Sequence, residues 1–155
     1  MSDSHPLHKL YLFKDLNPAE LGEVAKLVVS ANFSPGDEIF STGDEAHSLY
    51  MIKHGSVKIQ KTGSHASSIE VATLGTGSHF GEISFVDGEK RSATVVATET
   101  SEILSIEFDK LKKLIDSNSA IAVKVYRALA LFCCGRLRVT TNDLSFAREK
   151  NLRHF

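Results

Sequence analysis

Between residues 36 and 81 the chain places seven of its ten glycines: Gly36, Gly43, Gly55, Gly63, Gly75, Gly77 and Gly81. Glycine takes the tight turns that other residues resist, and the runs it punctuates here, "SPGDEIFSTGDEAHSLYMIKHGSVKIQKTGS" and "SSIEVATLGTGSHFGE", are short and β-prone. Short strands broken at close intervals by turn residues predict an antiparallel sandwich or small barrel. Two more strand-like runs in "RSATVVATETSEILSIE", joined through Thr98 to Ser101, close the β region.

Helical patterns flank this region. "NPAELGEVAKLVVSANF" offers Asn17 as an N-cap, Pro18 at the first helical position and Glu20 three residues after the cap, with Leu21, Val24, Ala25 and Val28 at helical spacing. From Phe108 the period is again helical, first in "FDKLKKLIDS" and then in a long run from about Asn118. In the long run Val123, Tyr126, Ala130, Cys133, Leu137, Thr140 and Leu144 recur at alternating spacings of three and four, the seam of a coiled coil or bundle. Val125, Leu129, Phe132 and Val139 make a second apolar stripe, which fits a helix lying on the β region instead. The predicted class is α+β: an antiparallel β-roll, a double-stranded jelly-roll-like barrel, with an N-terminal helix and long C-terminal helices. One domain is expected over residues 10–155, with the roll at about 31–107 and the C-terminal helices at about 108–147.

The balance of 18 Lys and Arg against 19 Asp and Glu excludes a general polyanion-binding surface, so recognition must come from a local site. The charge is uneven, because residues 119–155 hold seven basic and two acidic side chains; a solvated helix face accounts for that. Cys133 and Cys134 are adjacent, lack a C-x-x-C spacing, and read as small core residues of a reduced, intracellular protein. "MSDSHPLHKL" has no secretory signal pattern and no stretch reaches the ~18 apolar residues of a membrane span, so a cytoplasmic location is expected.

One stretch is built for chemistry. "FGEISFVDGEKRSATVVA", residues 80–97, sets Glu82 directly behind Gly81 and places Arg91 just before a strand-like run. A glycine followed by a short helical piece lets a ligand approach free backbone N–H groups, which suits an anion. Arg91 adds a planar, permanently charged fork for two phosphate oxygens, and Glu82, acceptor-only when ionised, suits a vicinal hydroxyl such as a ribose 2′-OH. The alternative for this pair is a structural ion bridge closing a loop.

These features resemble the cyclic nucleotide-binding domains of the bacterial catabolite activator protein, the regulatory subunits of protein kinase A and cyclic-nucleotide-gated channels. The resemblance runs from about Leu10 to Leu144 and rests on "FSPGDEIFSTGDEAHSLYMIKHGSVKI" and on the cassette "FGEISFVDGEKRSATVVA". It implies that Gly81, Glu82, Ile83 and Ser84 make the backbone and ribose contacts, and that Arg91, Ser92 and Ala93 make the phosphate contacts. It implies a base pocket lined by Phe40, Ile59, Val71 and Ala72. "GRLRVTTND" resembles the activator's ligand-capping segment with about one helical turn inserted before it, which makes Arg136, Thr140 and Thr141 the cap candidates. Members that favour cyclic GMP often carry threonine after the arginine, so Ser92 points to cyclic AMP, with cyclic GMP as the alternative ligand. The activator's DNA-binding domain has no counterpart in the sequence, so a stand-alone, non-enzymatic sensor is expected, signalling through its C-terminal helix as a homodimer or to an effector protein.

Other readings are weaker. A metal-dependent enzyme on a β-roll needs converging His and carboxylate ligands, whereas His47, His54, His65 and His79 are scattered and read as surface or turn residues. Relatives that sense redox state, haem or a cyclic dinucleotide fit poorly a chain with both Glu82 and Arg91 and no N-terminal cysteine cluster. Nucleic-acid binding through the basic C-terminal segment would show a steep salt dependence. A protein-interaction module that has lost its ligand is the remaining alternative.

Overall fold

The computed structural model describes residues 6–62 and 68–152, with side chains described for 7–61 and 72–142. Two 3-10 turns, Pro6–Lys9 and Tyr11–Phe13, lead into helix α1 (Pro18–Ala25). Strands β1 (Val29–Phe33), β2 (Glu38–Phe40), β3 (Ser48–His54), β4 (Ser56–Thr62), β5 (Ser68–Gly75) and β6 (His79–Phe80) follow. Helix α2 (Ile83–Asp87) precedes β7 (Thr94–Ala97) and β8 (Ser101–Glu107), and helices α3 (Phe108–Ser117) and α4 (Ser119–Leu152) complete the order.

The strands form two four-stranded sheets, β1-β8-β3-β6 and β2-β7-β4-β5, and every pairing is antiparallel. This is the expected β-roll, built as two facing sheets rather than a closed barrel. Alternation along the strands separates two cores. Ile52, Val57, Phe80, Val95 and Ile103 pack between the sheets. On the outer face of the first sheet Leu49, Met51, Leu104 and Ile106 meet the helices through Leu21, Val24, Leu111, Ile121, Val125 and Leu129. The chain passes from one sheet to the other through Gly55 at φ 114, where an added Cβ would stand 2.7 Å from the Ser101 Cα, so no side chain fits this corner.

The helical core reaches back to Leu7, Leu10, Leu12, Phe13 and Leu16, all buried in the N-terminal turns that the sequence pattern did not mark. Asn17 and Glu20 form the expected capping box, with the Asn17 N–H donating to Glu20 Oε1 and the Glu20 N–H to Asn17 Oδ1, both at 2.9 Å. Lys124 Nζ on α4 also donates to Glu20 Oε1, at 2.6 Å, so one carboxylate ties the first helix to the last. The backbone bond from Asn17, followed by the Lys124 bond, lowers the pKa of Glu20 from its ordinary value. A carboxylate whose folded pKa is depressed stabilises the fold fully above its unfolded pKa, and that stabilisation disappears as pH falls through the folded value. Glu20→Gln is therefore expected to cost about 1 kcal/mol at neutral pH and to flatten the fall of the melting temperature below about pH 4.5. Melts of both proteins between neutral pH and pH 3 check this; parallel curves would show that Glu20 contributes nothing through its charge.

Candidate functional site

Helix α4 is a continuous 34-residue helix, about 50 Å long at 1.5 Å per residue. Its Ile121, Val125, Ala128 and Leu129 are buried against the roll and the N-terminal helices, so the second apolar stripe docks through Val125 and Leu129, while Phe132 is half-buried and Val139 is exposed. The Val123, Tyr126, Ala130, Cys133, Leu137 and Thr140 seam lies roughly 110° farther round and is exposed, while the Leu144 side chain lies outside the described residues. Cys133 and Cys134 are exposed and not core residues as expected. Cys134 stands roughly 180° from Val125 on the helix, which excludes it from the docked stripe.

Between the roll and this helix lies a cavity of about 420 Å³, within the usual range for small-molecule sites. Phe40, Ile59, Leu74, Phe80 and Val95 line it from the sheets; Gly81, Glu82, Ile83, Ser84, Arg91, Ser92 and Ala93 from the excursion; Phe132, Cys133, Arg136, Leu137 and Thr140 from α4. Lys61 and His79 complete the wall. Ala72 and Thr141 are not on it. Ala72 pairs with Ile59 where the β4–β5 register slips by one residue, and Val71, whose side chain lies outside the described residues, is the extra residue of that slip. His79, expected at the surface or in a turn, is instead buried in β6, because Tyr11 and Phe132 close over it from the two ends of the chain. Lys61, Leu74, His79, Phe80, Val95, Phe132, Cys133 and Leu137 were not singled out from sequence as site residues; strand alternation alone marks Leu74 and Val95 as inward-facing.

The excursion is held by its backbone. Gly81 turns at φ 80, α2 ends on Gly88 in the left-handed conformation, and the Gly43 N–H donates to the Arg91 carbonyl at 2.8 Å while the Arg91 N–H donates to the Asp44 carbonyl at 2.9 Å. An added Cβ at Gly81 would stand 2.8 Å from Arg91 Nη1, so the glycine also makes room for the guanidinium. Nη1 donates to the Gly81 carbonyl at 2.9 Å and Nη2 to the Ser48 carbonyl. The guanidinium stacks 4.1 Å over the Phe40 ring, with Tyr50 and Phe108 each at 5.7 Å. Burial lowers the Arg91 pKa from its ordinary value, against smaller opposing effects of Tyr50, Asp44 and Glu82.

Glu82 and Arg91 are both buried, and neither forms an ion pair with the other among the described residues. The alternative of a structural ion bridge between them is therefore absent. The nearest imidazole to Glu82 is His79, whose Nδ1 stands 3.3 Å from Glu82 Oε2. Near Arg91, Ser84 and Ala93 are buried, and Ser92 and Ile83 are exposed at the cavity rim. The result is an apolar chamber with one buried cation and one buried carboxylate on the same wall, able to take a ligand with an anionic group and a hydroxyl.

Comparison with known proteins identifies the family of this fold. The profile of the cyclic nucleotide-binding domain family matches residues 30–118. The cyclic AMP receptor protein of Thermus thermophilus is 31% identical over 143 residues, 90% of this chain and 64% of its own length. The type II regulatory subunit of cAMP-dependent protein kinase from Drosophila melanogaster is 28% identical, over 77% of this chain and 35% of its own length. Among solved structures, the Thermus thermophilus catabolite activator protein superposes with a TM-score of 0.78 at 30% identity, covering 88% of this chain and 62% of that one. The fold and the matched profile define a regulatory ligand-binding domain of the catabolite-activator and kinase-regulatory-subunit type. This chain belongs to the cyclic nucleotide-binding domain family. It spans less than two thirds of the length of the receptor protein and about one third of that of the kinase subunit. Among the described residues no helix is long and apolar enough to cross a membrane.

Proposed function

We propose that the chain senses cyclic AMP, with Arg91 on the cyclic phosphate, Glu82 on the ribose 2′-OH and the base against Phe40, Ile59 and Leu74 beneath α4. The observation that carries this reading is the Arg91 guanidinium, buried on the cavity wall and held by two carbonyls with no carboxylate partner among the described residues. A buried cation of that kind is stabilised by an incoming anion. Its fork has further N–H donors to offer. Ser92 at the rim, in place of the threonine common in members that favour cyclic GMP, supports cyclic AMP.

The signal leaves through α4. Phe132, Arg136, Leu137 and Thr140 face the cavity, so a ligand can make different contacts with different helix positions, which any shift of that equilibrium requires. The exposed Val123, Tyr126 and Leu137 are large apolar residues, and pairing α4 with its copy in a homodimer would cover them. Calorimetric titration of protein stripped of any co-purified nucleotide tests the ligand: the dissociation constant for cyclic AMP is expected to lie below that for cyclic GMP. The reverse order would overturn the assignment of ligand, and no heat with either nucleotide would overturn the reading as a sensor of this class.

A further inference from the structure

His79 is the cavity-lining residue whose polar atoms are unaccounted for. Its side chain is 1% exposed, and although Nδ1 stands 3.3 Å from Glu82 Oε2, the orientation makes no hydrogen bond. Neither ring nitrogen has a hydrogen-bond partner among the described residues. Buried polar groups are nearly always paired, so a buried imidazole with two unpaired nitrogens calls for a reason. Packing does not supply one. The ring sits 4.4 Å from that of Phe132 and 6.0 Å from that of Tyr11, contacts that any aromatic ring would make.

The geometry points to His79 as a positioning residue for Glu82. At 3.3 Å, turning the ring so that an Nδ1–H points at Oε2 would make a hydrogen bond between them. An ionised carboxylate only accepts, so Glu82 selects the ring form that carries a proton on Nδ1. With one oxygen held by the ring beside it, the carboxylate keeps its other oxygen free to receive a sugar hydroxyl in the cavity. This inference rests on the proposed role of Glu82 at the ribose 2′-OH, and it adds the residue that holds the acceptor in place. Neighbours in sequence do not do this, because the Asp87 carboxylate accepts from the Glu89 N–H and Lys90 pairs with Glu45 at the surface.

The test compares cyclic AMP with 2′-deoxy cyclic AMP, by calorimetry, on the full chain and on Glu82→Leu, His79→Phe and His79→Asn proteins whose folding is verified by thermal melts. The unaltered protein is expected to favour the ligand with the 2′-hydroxyl, and Glu82→Leu, which removes the acceptor, to erase that preference. His79→Phe keeps a ring against Phe132 and should weaken cyclic AMP binding about tenfold while leaving the deoxy ligand within about twofold. His79→Asn, whose side-chain amide reaches the place of Nδ1, should recover most of the loss. Equal losses for both ligands, or none, in folded His79→Phe protein would assign the ring to packing and overturn the proposal. If His79→Phe does not fold, the smaller His79→Leu carries the same comparison. A preference that survives Glu82→Leu would instead remove the ribose role of Glu82, and the role of His79 with it, and the glutamate variant alone reveals that outcome.

Discussion

Arg91→Ala is expected to weaken cyclic AMP binding by at least about 30-fold, because truncating one partner of a buried charged contact costs about 2–5 kcal/mol. Two features of the site place the effect in this range. The guanidinium is already buried by the wall around it, which also lowers its pKa, so an anionic ligand meets a cation that has given up its water beforehand. Its orientation is also set in advance, by the Gly81 and Ser48 carbonyls on one edge and the Phe40 face on the other. The same substitution leaves those two carbonyls without their donor, so the variant should be less stable by about 1–3 kcal/mol. Calorimetry on the folded variant, at a temperature well below its melting transition, separates the two effects. Unchanged affinity there would show that the phosphate is bound elsewhere.

The fold was legible where local chemistry decides it. Asn17, Pro18 and Glu20 specify the start of α1 by side-chain hydrogen bonding within one turn, and the structure closes the predicted capping box. Of the seven punctuating glycines, those at 36, 43, 55, 77 and 81 take positive φ, Gly75 does not and Gly63 lies outside the described residues, so most of the punctuation of the roll is a backbone property. The N-terminal 3-10 turns were not legible. Leu7, Leu10, Leu12, Phe13 and Leu16 have no single helical or strand period, and only the presence of α1, α3 and α4 gives their apolar side chains a place to go.

The same contrast divides the site. Glu82 and Arg91 could be read together because one short excursion carries both, and their chemical types announce a hydroxyl acceptor and an anion clamp. His79 sits three residues from Glu82, yet its burial depends on Tyr11 and Phe132, more than fifty residues away on either side. A scattered histidine gives no periodic signal, so surface was the natural expectation. The two stripes of α4 could be seen but not ranked from sequence. Their ranking follows from what the roll presents: Leu49, Met51, Leu104 and Ile106 form an apolar face that accepts Val125 and Leu129, leaving Val123, Tyr126 and Leu137 outside.

Truncation immediately before Arg136 is expected to lower ligand affinity about 10- to 100-fold and to weaken self-association in the same protein. The last residue of α4 in the helical core is Leu129, so the cut leaves that core whole and the roll should still fold. It removes Arg136, Leu137 and Thr140 from the cavity wall, and a leucine that becomes buried when the helix closes on a ligand contributes up to about 1.5–3 kcal/mol. Arg91 and Glu82 are untouched, so the residual binding should still discriminate against a nucleotide lacking the cyclic phosphate. The coupling to assembly has a geometric cause. Leu137 belongs both to the cavity wall and to the exposed seam, and Cys133 and Thr140 share that double position, so a helix drawn toward the ligand must change the face it offers to its copy. Sedimentation of the intact and truncated chains, each with and without cyclic AMP, reads association and ligand response together. Intact chains should associate more strongly than truncated ones, and only the intact chains should change their association when the nucleotide is added. A truncated chain that binds and associates like the intact one would show that the end of α4 is neither lid nor interface, and would move the output to another surface of the roll.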